Sequence, residues 1–399
     1  MNNVSNQNKS NRTIMVLALF VCVMTNISQM PLIVNAGYTR YFSVPLWAGL
    51  ALVCLFTLKV IPYFNIKNLF FLVFAFVAYY FIARFFNNSY SNSALPYPIF
   101  LSFFVLFVGY LVGQFLDIDD IDSLLTAYVI SLTLVCIDVF RTYVFGVDMG
   151  ALTYAYASKN SVSQILLSAW IIILLRKFGK TTGFIKNTYY ILFFALLTIT
   201  LLGLKSRATI IGMPVAIVWV LMHGKQDRKI KRIIILIVIA VVVFLLIRPQ
   251  YYDMLVNNIL LGNRSASSLE DLSSGRYSQW QNFGNDFKDT WLFGQGSAAR
   301  ESFVLTALLE FGVVGGGFIF ALALSPLWWC LRRFNHINPF YLFFSSLAIV
   351  YIMNGVFEQL APFGPGVKCY LLWFLFGIFL NDHMNWPDDE EQLEAWHEK

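Results

Sequence analysis

Four short stretches of the 399-residue chain carry side chains able to act on something other than the chain itself. Lys205-Ser206-Arg207-Ala208 sets two cations at a tight turn between apolar runs. Gly275-Arg276 opens a stretch in which Trp280, Phe283 and Phe287 recur at helical spacing. Arg300-Glu301 places a cation beside a carboxylate just ahead of another apolar run, and Glu310 follows roughly 13 Å further along at 1.5 Å per helical residue. Two cations at a helix end either snorkel to an interface as anchors or offer their charge to a bound group. Glu301 has a ready ion-pair partner in Arg300 or Arg276. A carboxylate inside an apolar run, such as Glu310, is a functional candidate, with a structural hydrogen-bond role as its alternative.

Metal and redox chemistry find no support in the residue pattern. Asp117, Asp119, Asp120 and Asp122 lack cation-ligand spacing and read as a solvated segment. The five cysteines (Cys22, Cys54, Cys136, Cys330 and Cys369) form no CxxC pair, so neither zinc nor a disulfide framework is indicated. No metal and no cofactor is expected.

The elements that position these residues follow from composition. Hydrophobic residues make up 58% of the chain and charged residues 13%, against about 45–50% and about 25% in soluble domains. The apolar residues fall in blocks of about 17–25, the length that crosses roughly 30 Å of hydrocarbon as a helix. The expected fold is all-α, a polytopic integral membrane protein of about twelve transmembrane helices. The spans read 13–34, 42–62, 68–86, 97–115, 122–140, 161–175, 188–204, 207–223, 232–248, 303–331, 338–356 and 366–381. Span 303–331 exceeds one crossing and is expected to tilt or break near Gly315-Gly316-Gly317. The organisation is thus 1–248 for helices one to nine, 249–302 for one long periplasmic loop with short amphipathic helices, 303–381 for helices ten to twelve, and 382–399 for an acidic cytoplasmic tail. No internal repeat or inverted symmetry emerges.

Lysine and arginine set the orientation. With the N-terminus in the cytoplasm, 16 of the 28 fall inside; of the other 12, five lie in the long loop, where charge counts little. Both termini are therefore expected in the cytoplasm. The net charge of +6 reflects this topology and contact with anionic lipid, so no nucleic-acid partner is implied. Within the loop, Ser273-Ser274-Gly275 offers a helix N-cap and the helix is expected over Arg276 to about Lys288. Trp280, Phe283 and Phe287 give it one apolar face, placing it at the interface or over a cavity mouth. A glycine bend follows at Trp291 to Gly296.

Taken together these residues resemble the O-antigen polymerase and O-antigen ligase family of bacterial envelope glycosyltransferases. Lys205-Ser206-Arg207-Ala208 is similar to the family's x-Ser-Arg-Ala/Gly step. Gly275-Arg276 with Trp280 and Phe283 resembles its loop "GR…W" helix. Trp291 to Gly296 is similar to its "P-L-x-G-x-G" segment, without the Pro. Leu309-Glu310-Phe311-Gly312-Val313-Val314-Gly315 is close to "L-x-E-x-G-I-I-G", and Lys159-Asn160-Ser161 is similar to an Asn step before the sixth span. One departure stands out. The ligases carry a His where the loop meets the tenth span, and here Glu301-Ser302 occupies that place, while His223, His336, His383 and His397 all fall on the expected cytoplasmic side.

The resemblance implies transfer of a glycan from undecaprenyl diphosphate to a sugar hydroxyl at the outer face of the bacterial inner membrane. The Glu301 form looks more like a polymerase joining lipid-linked repeat units; a ligase acting on the lipid A core is the alternative. A non-enzymatic transporter or flippase of lipid-linked sugars is a third reading, disfavoured because the ionisable residues crowd one end of the spans. The implied partners are the lipid-linked oligosaccharide, membrane lipids and a chain-length regulator protein. The leaving diphosphate suits arginine, whose planar fork grips phosphate oxygens without a metal. On this implication Arg207 and Arg276 hold the diphosphate, with Lys205 and Arg300 as weaker candidates. Glu301 orients or deprotonates the acceptor hydroxyl. Arg84, Lys159, Asn160 and Glu310 complete the candidate substrate-binding set, with anchoring to lipid phosphates the competing role for the outer cations.

Overall fold

An apolar chain in lipid must bond its own backbone, and the helix does this within one segment. The computed structural model describes residues 2–42, 44–58, 67–145, 159–179, 184–223, 247–248, 250, 276–333, 339–364 and 369–381. Among them there are helices and turns and no strand. In chain order the helices are α1 (Asn2–Ile27), α2 (Pro31–Asn35), α3 (Val44–Thr57), α4 (Lys67–Phe86), α5 (Pro96–Val112), α6 (Ile118–Val139), α7 (Lys159–Gly179), α8 (Phe184–Gly203), α9 (Arg207–His223), α10 (Arg276–Lys288), α11 (Phe303–Arg333), α12 (Pro339–Phe357) and α13 (Tyr370–Phe379).

Four helical stretches are long and apolar enough to cross a membrane: Leu69–Phe86, Ile118–Val144, Phe303–Arg333 and Phe340–Phe357. Seven shorter apolar helices of 10–17 residues accompany them. Their outward faces carry exposed Phe56, Phe71, Phe74, Phe85, Phe86 and Trp328, an apolar surface that marks a membrane protein. Every expected span except 232–248 overlaps a described helix; 232–246, 249 and 251–275 lie outside the described residues. The first expected span is interrupted, since α1 stops at Ile27 and Pro31 starts the short α2. The acidic cluster at Asp117 to Asp122 opens α6, where Asp117 N–H donates to the Asp120 carboxylate at 2.9 Å. Negative charge in a first helical turn complements the helix dipole.

Without water to exclude between helices, close backbone approach and polar bonds hold a bundle together. Helices α5 and α13 pack through glycine. A Cβ added at Gly109 would lie 2.1 Å from Phe374 O, and one at Gly377 would lie 2.0 Å from Leu106 O. Buried side-chain bonds cross between other helices: Asn26 to Ser131 at 2.8 Å, Ser168 with Tyr351 at 2.7 Å, Trp219 to Ser345 at 2.9 Å and Tyr370 to Asn26 at 2.8 Å.

The break in α11 is not at Gly315-Gly316-Gly317. It falls at Gly312, whose φ of 65° and ψ of −167° leave the helical region. The three later glycines stay helical. The stretch from Trp291 to Gly296 lies along the opened turn and takes up the groups that the break frees. Gln295 N–H donates to Leu309 O (2.8 Å) and Gly296 N–H to Glu310 O (3.0 Å), while Val313 N–H and Val314 N–H donate to Trp291 O and Leu292 O (2.8 and 3.2 Å). Positive φ at Gly294 and Gly312 makes the approach possible, and a Cβ on either would sit 2.4 Å from the partner backbone. Tyr79 Oη lies within 2.9 Å of Phe293 O and 2.8 Å of Phe311 O, and Tyr90 donates to Phe293 O. Burial raises the Tyr90 hydroxyl above its ordinary pKa, which keeps that proton in place for donation.

Candidate functional site: the polar end of the bundle

Three helices define one end of the molecule by their contacts. On α9 and α12, Gly212 meets Val350 and Asn354, and Trp219 bonds Ser345, so the two run antiparallel. On α7 and α12, Ser168 bonds Tyr351 and Asn160 Nδ2 donates to Glu358 Oε1 at 2.7 Å, again antiparallel. Gly212 also faces Leu167 of α7. From that crossing, Arg207 lies about 7.5 Å, Glu358 about 6 Å and Asn160 about 10.5 Å toward the same end, at 1.5 Å per residue. The chain brings a fourth element here, because Phe303 at the start of α11 packs against Gly355 of α12 and its ring lies 5.8 Å from that of Phe363. Ser302 and Glu301 therefore join the same end.

Each candidate has a definite local reason to be where it is. Arg207 starts α9 because Lys205 takes a left-handed φ of 50°, reversing the chain within the tight turn after α8. Ser206 then receives Ile210 N–H on its carbonyl and pairs its hydroxyl with Thr209 Oγ1 at 2.9 Å. Lys205 and Ser206 are buried, and Arg207 is half-buried. Arg276 occupies the first position of α10 and forms an ion pair with Glu301 at 3.0 Å. Glu301 N–H in turn donates to Gln279 Oε1, tying the start of α11 to α10. The apolar face expected on α10 exists, with Phe283 and Phe287 stacked at 4.9 Å.

The other candidates separate from this group. Arg300 pairs with Asp286 at 2.9 Å, both side chains about one-third exposed. Glu310 is fully buried and accepts from Ser93 Oγ and from Ala94 N–H, so it fastens the 88–95 segment to the opened turn of α11. Arg84 is exposed in the last turn of α4 beside exposed Phe85 and Phe86. Lys159 begins α7, and nothing is described of its side chain. Among the described residues no three of His, Cys, Asp or Glu come together as a metal site. His223, the one described histidine, stacks on Trp219 at the end of α9 opposite Arg207.

Residues that motif reading passed over complete this end. Asn160, a candidate from the resemblance, reaches one of them, Glu358, the one carboxylate between Glu310 and Asp382 in the sequence. That isolation, at the end of an apolar run, was the available signal. Around the pair, Ser163 Oγ, Ser302 Oγ, Asn354 Oδ1 and Gln359 Nε2 are buried without a hydrogen-bond partner, as is Arg276 Nε. Each such atom costs about 1–3 kcal/mol if nothing ever satisfies it, so their gathering at one end marks a place built to receive a polar ligand.

An apolar helical bundle with cations, carboxylates and unpaired polar groups gathered at one end is a membrane protein equipped for a charged or hydroxyl-rich substrate. The O-antigen ligase family model matches residues 192–320, a segment that contains Arg207, Arg276, Glu301 and Glu310. That match supports the O-antigen polymerase and ligase family, whose members are glycosyltransferase-like enzymes. No curated protein matches the chain.

Proposed function

We propose that this protein is an O-antigen polymerase of the bacterial inner membrane, joining oligosaccharide repeat units carried on undecaprenyl diphosphate at the outer face. The observation that carries the reading is the Arg276–Glu301 pair at 3.0 Å, at the end of the bundle where α9 presents Arg207. In this reading the chain crosses the membrane about twelve times with both termini cytoplasmic, and the polar end faces outward. Arg276 and Arg207 hold the diphosphate and stabilise the charge that develops as the anomeric bond breaks, with no metal required. Glu301 occupies the arginine fork until the donor arrives and yields it to the phosphate oxygens, a carboxylate-for-phosphate exchange on one bidentate cation. A glutamate at 301, where the ligases that this chain resembles carry His, favours polymerase over ligase.

The deciding experiment is the glycan pattern of cells lacking the protein. The expected result is a single repeat unit on the lipid A core, because a separate ligase still transfers the unpolymerised donor. A bare core with polymer held on undecaprenyl diphosphate would establish the ligase reading instead. Purified protein is expected to keep its activity in EDTA; a strict need for added magnesium or manganese would refute the arginine account of the leaving group.

A further inference from the structure

The polar end carries charged and neutral side chains, and so far only the charged ones have a role. Ser163, Ser302, Asn354 and Gln359 are neutral, and each keeps a buried oxygen or nitrogen without a hydrogen-bond partner. Ser163, Ser302 and Asn354 are at most 2% exposed. Leaving such atoms unmatched weakens the free protein, and a ligand that matches them removes that cost.

Helix register brings these residues together. On α7, Asn160, Ser163, Leu167 and Ser168 recur at i, i+3, i+7 and i+8, one stripe of the helix. Tyr351, Asn354, Gly355 and Glu358 form a matching stripe along α12 and the residue after it. The stripes face each other, since Ser168 bonds Tyr351 at one end and Asn160 bonds Glu358 at the other. Ser163 therefore stands opposite Asn354 and Gly355. A Cβ on Gly355 would lie 3.5 Å from Phe303 Cβ, which sets Ser302 beside α12, and one on Gly212 would lie 3.7 Å from Asn354 Oδ1, which brings in α9. Counted from that crossing, Ser163 lies about 6 Å and Arg207 about 7.5 Å toward the same end. The neutral atoms thus occupy the levels from the crossing up to Arg207.

Their chemistry suits a sugar. Hydroxyls donate and accept, the Asn354 oxygen accepts and the Gln359 nitrogen donates, the mixture that ring hydroxyls require. None of the four is a cation, so a phosphate would find no compensating charge among them. A sugar joined to a diphosphate must lie beside the cations that hold that diphosphate.

We propose that Ser163, Ser302, Asn354 and Gln359 bind the sugar joined directly to the diphosphate, so that the donor is recognised by its first sugar as well as by its charge. Ser302 follows Glu301, whose hold on Arg276 passes to the phosphate, so the subsite opens as the group that carries the sugar arrives. This rests on the diphosphate reading of Arg207 and Arg276, and its test separates the two.

Full-length protein in nanodiscs is titrated with undecaprenyl diphosphate, with the same lipid bearing only its first sugar, and with the complete lipid-linked repeat unit. Its melting temperature is measured without lipid. Ser163→Ala, Ser302→Ala and Asn354→Leu are each expected to weaken binding of both sugar-bearing lipids about 2- to 10-fold, the loss of one hydrogen bond. Binding of undecaprenyl diphosphate is expected to stay unchanged. Each variant is also expected to keep or raise the melting temperature, because it removes a polar group that the free protein leaves unmatched. The two serine variants decide the matter if Asn354→Leu does not accumulate. A lower melting temperature with lipid binding unchanged assigns these atoms to trapped water, and equal losses for all three lipids assign them to general packing. A loss seen only with the complete repeat unit assigns them to a later sugar. Each of these results overturns the proposal and leaves the diphosphate reading standing. Binding of undecaprenyl diphosphate that neither Arg207→Ala nor Arg276→Ala weakens removes that reading instead.

Discussion

Two regions joined by α11 handle their polar groups in opposite ways. Around Gly312 the backbone is irregular, yet the groups freed by the break are matched by Trp291 to Gly296, and the Glu310 carboxylate is met by Ser93 and Ala94. At Glu301, just ahead of the regular first turns of α11, the surrounding side chains keep unpaired polar atoms and an ion pair whose glutamate is half exposed. Irregular backbone here is architecture; the incomplete hydrogen bonding accompanies the residues proposed for the chemistry. A region that satisfies itself has nothing left to offer a ligand, and the reverse holds at the polar end.

The sharpest way to break this comparison is at Arg276. Arg276→Ala is expected to reduce polymer formation about 100- to 1000-fold, the usual effect of removing a preorganised donor to developing charge, with normal protein in the membrane by immunoblot. Arg276→Lys is expected to recover little, because a point charge lacks the fork. Near-normal product from the lysine variant would show that charge alone suffices.

At the self-satisfied region the effects shift from rate to folding. Gly312→Ala forces a side chain into a left-handed conformation costing about 1–2 kcal/mol and onto the Leu292 backbone. It is expected to lower the amount of folded protein several-fold while the surviving molecules keep their specific activity. Glu310→Ala strips the Ser93 and Ala94 donors of their acceptor and is expected to cost about 1–3 kcal/mol of stability, read as a lower melting temperature in detergent, with transfer per folded molecule unchanged. A loss of transfer without a loss of stability would return Glu310 to the substrate-binding set. The smallest effect is expected from Arg300→Gln, since a partly exposed pair with Asp286 is worth about 0.2–1 kcal/mol; a shortened glycan ladder from that variant would assign Arg300 to the substrate.

Much of the fold was legible because its determinants are local. Apolar runs long enough to cross lipid set α4, α6, α11 and α12 close to where they stand, and the Trp280, Phe283 and Phe287 spacing set α10. The break at Gly312 was not legible from its own neighbourhood, since Gly315-Gly316-Gly317 is the richer glycine run. It is decided by backbone groups some 20 residues away, which a reading along the chain does not bring together. The same limit divided the site. Arg207, Arg276 and Glu301 announce themselves as charges beside apolar runs, and Asn160 is marked by the family resemblance, whereas Ser163, Asn354 and Gln359 are ordinary polar residues until three helix ends converge. Glu358 stood out only by its isolation in the sequence.

The clasp between Trp291–Gly296 and Leu309–Val314 has a consequence for how this segment tolerates change in length. It closes the intervening stretch into a ring whose circumference is set at both ends, and Arg300 and Glu301 ride on that ring. One residue inserted between Gly296 and Phe303 would have to bulge outward or turn the first coil of α11 by about 100°, carrying Glu301 off Arg276. Length variation in natural or engineered variants is therefore expected to be absent between Gly296 and Phe303, making the clasp a ruler that meters where Glu301 stands relative to Arg276.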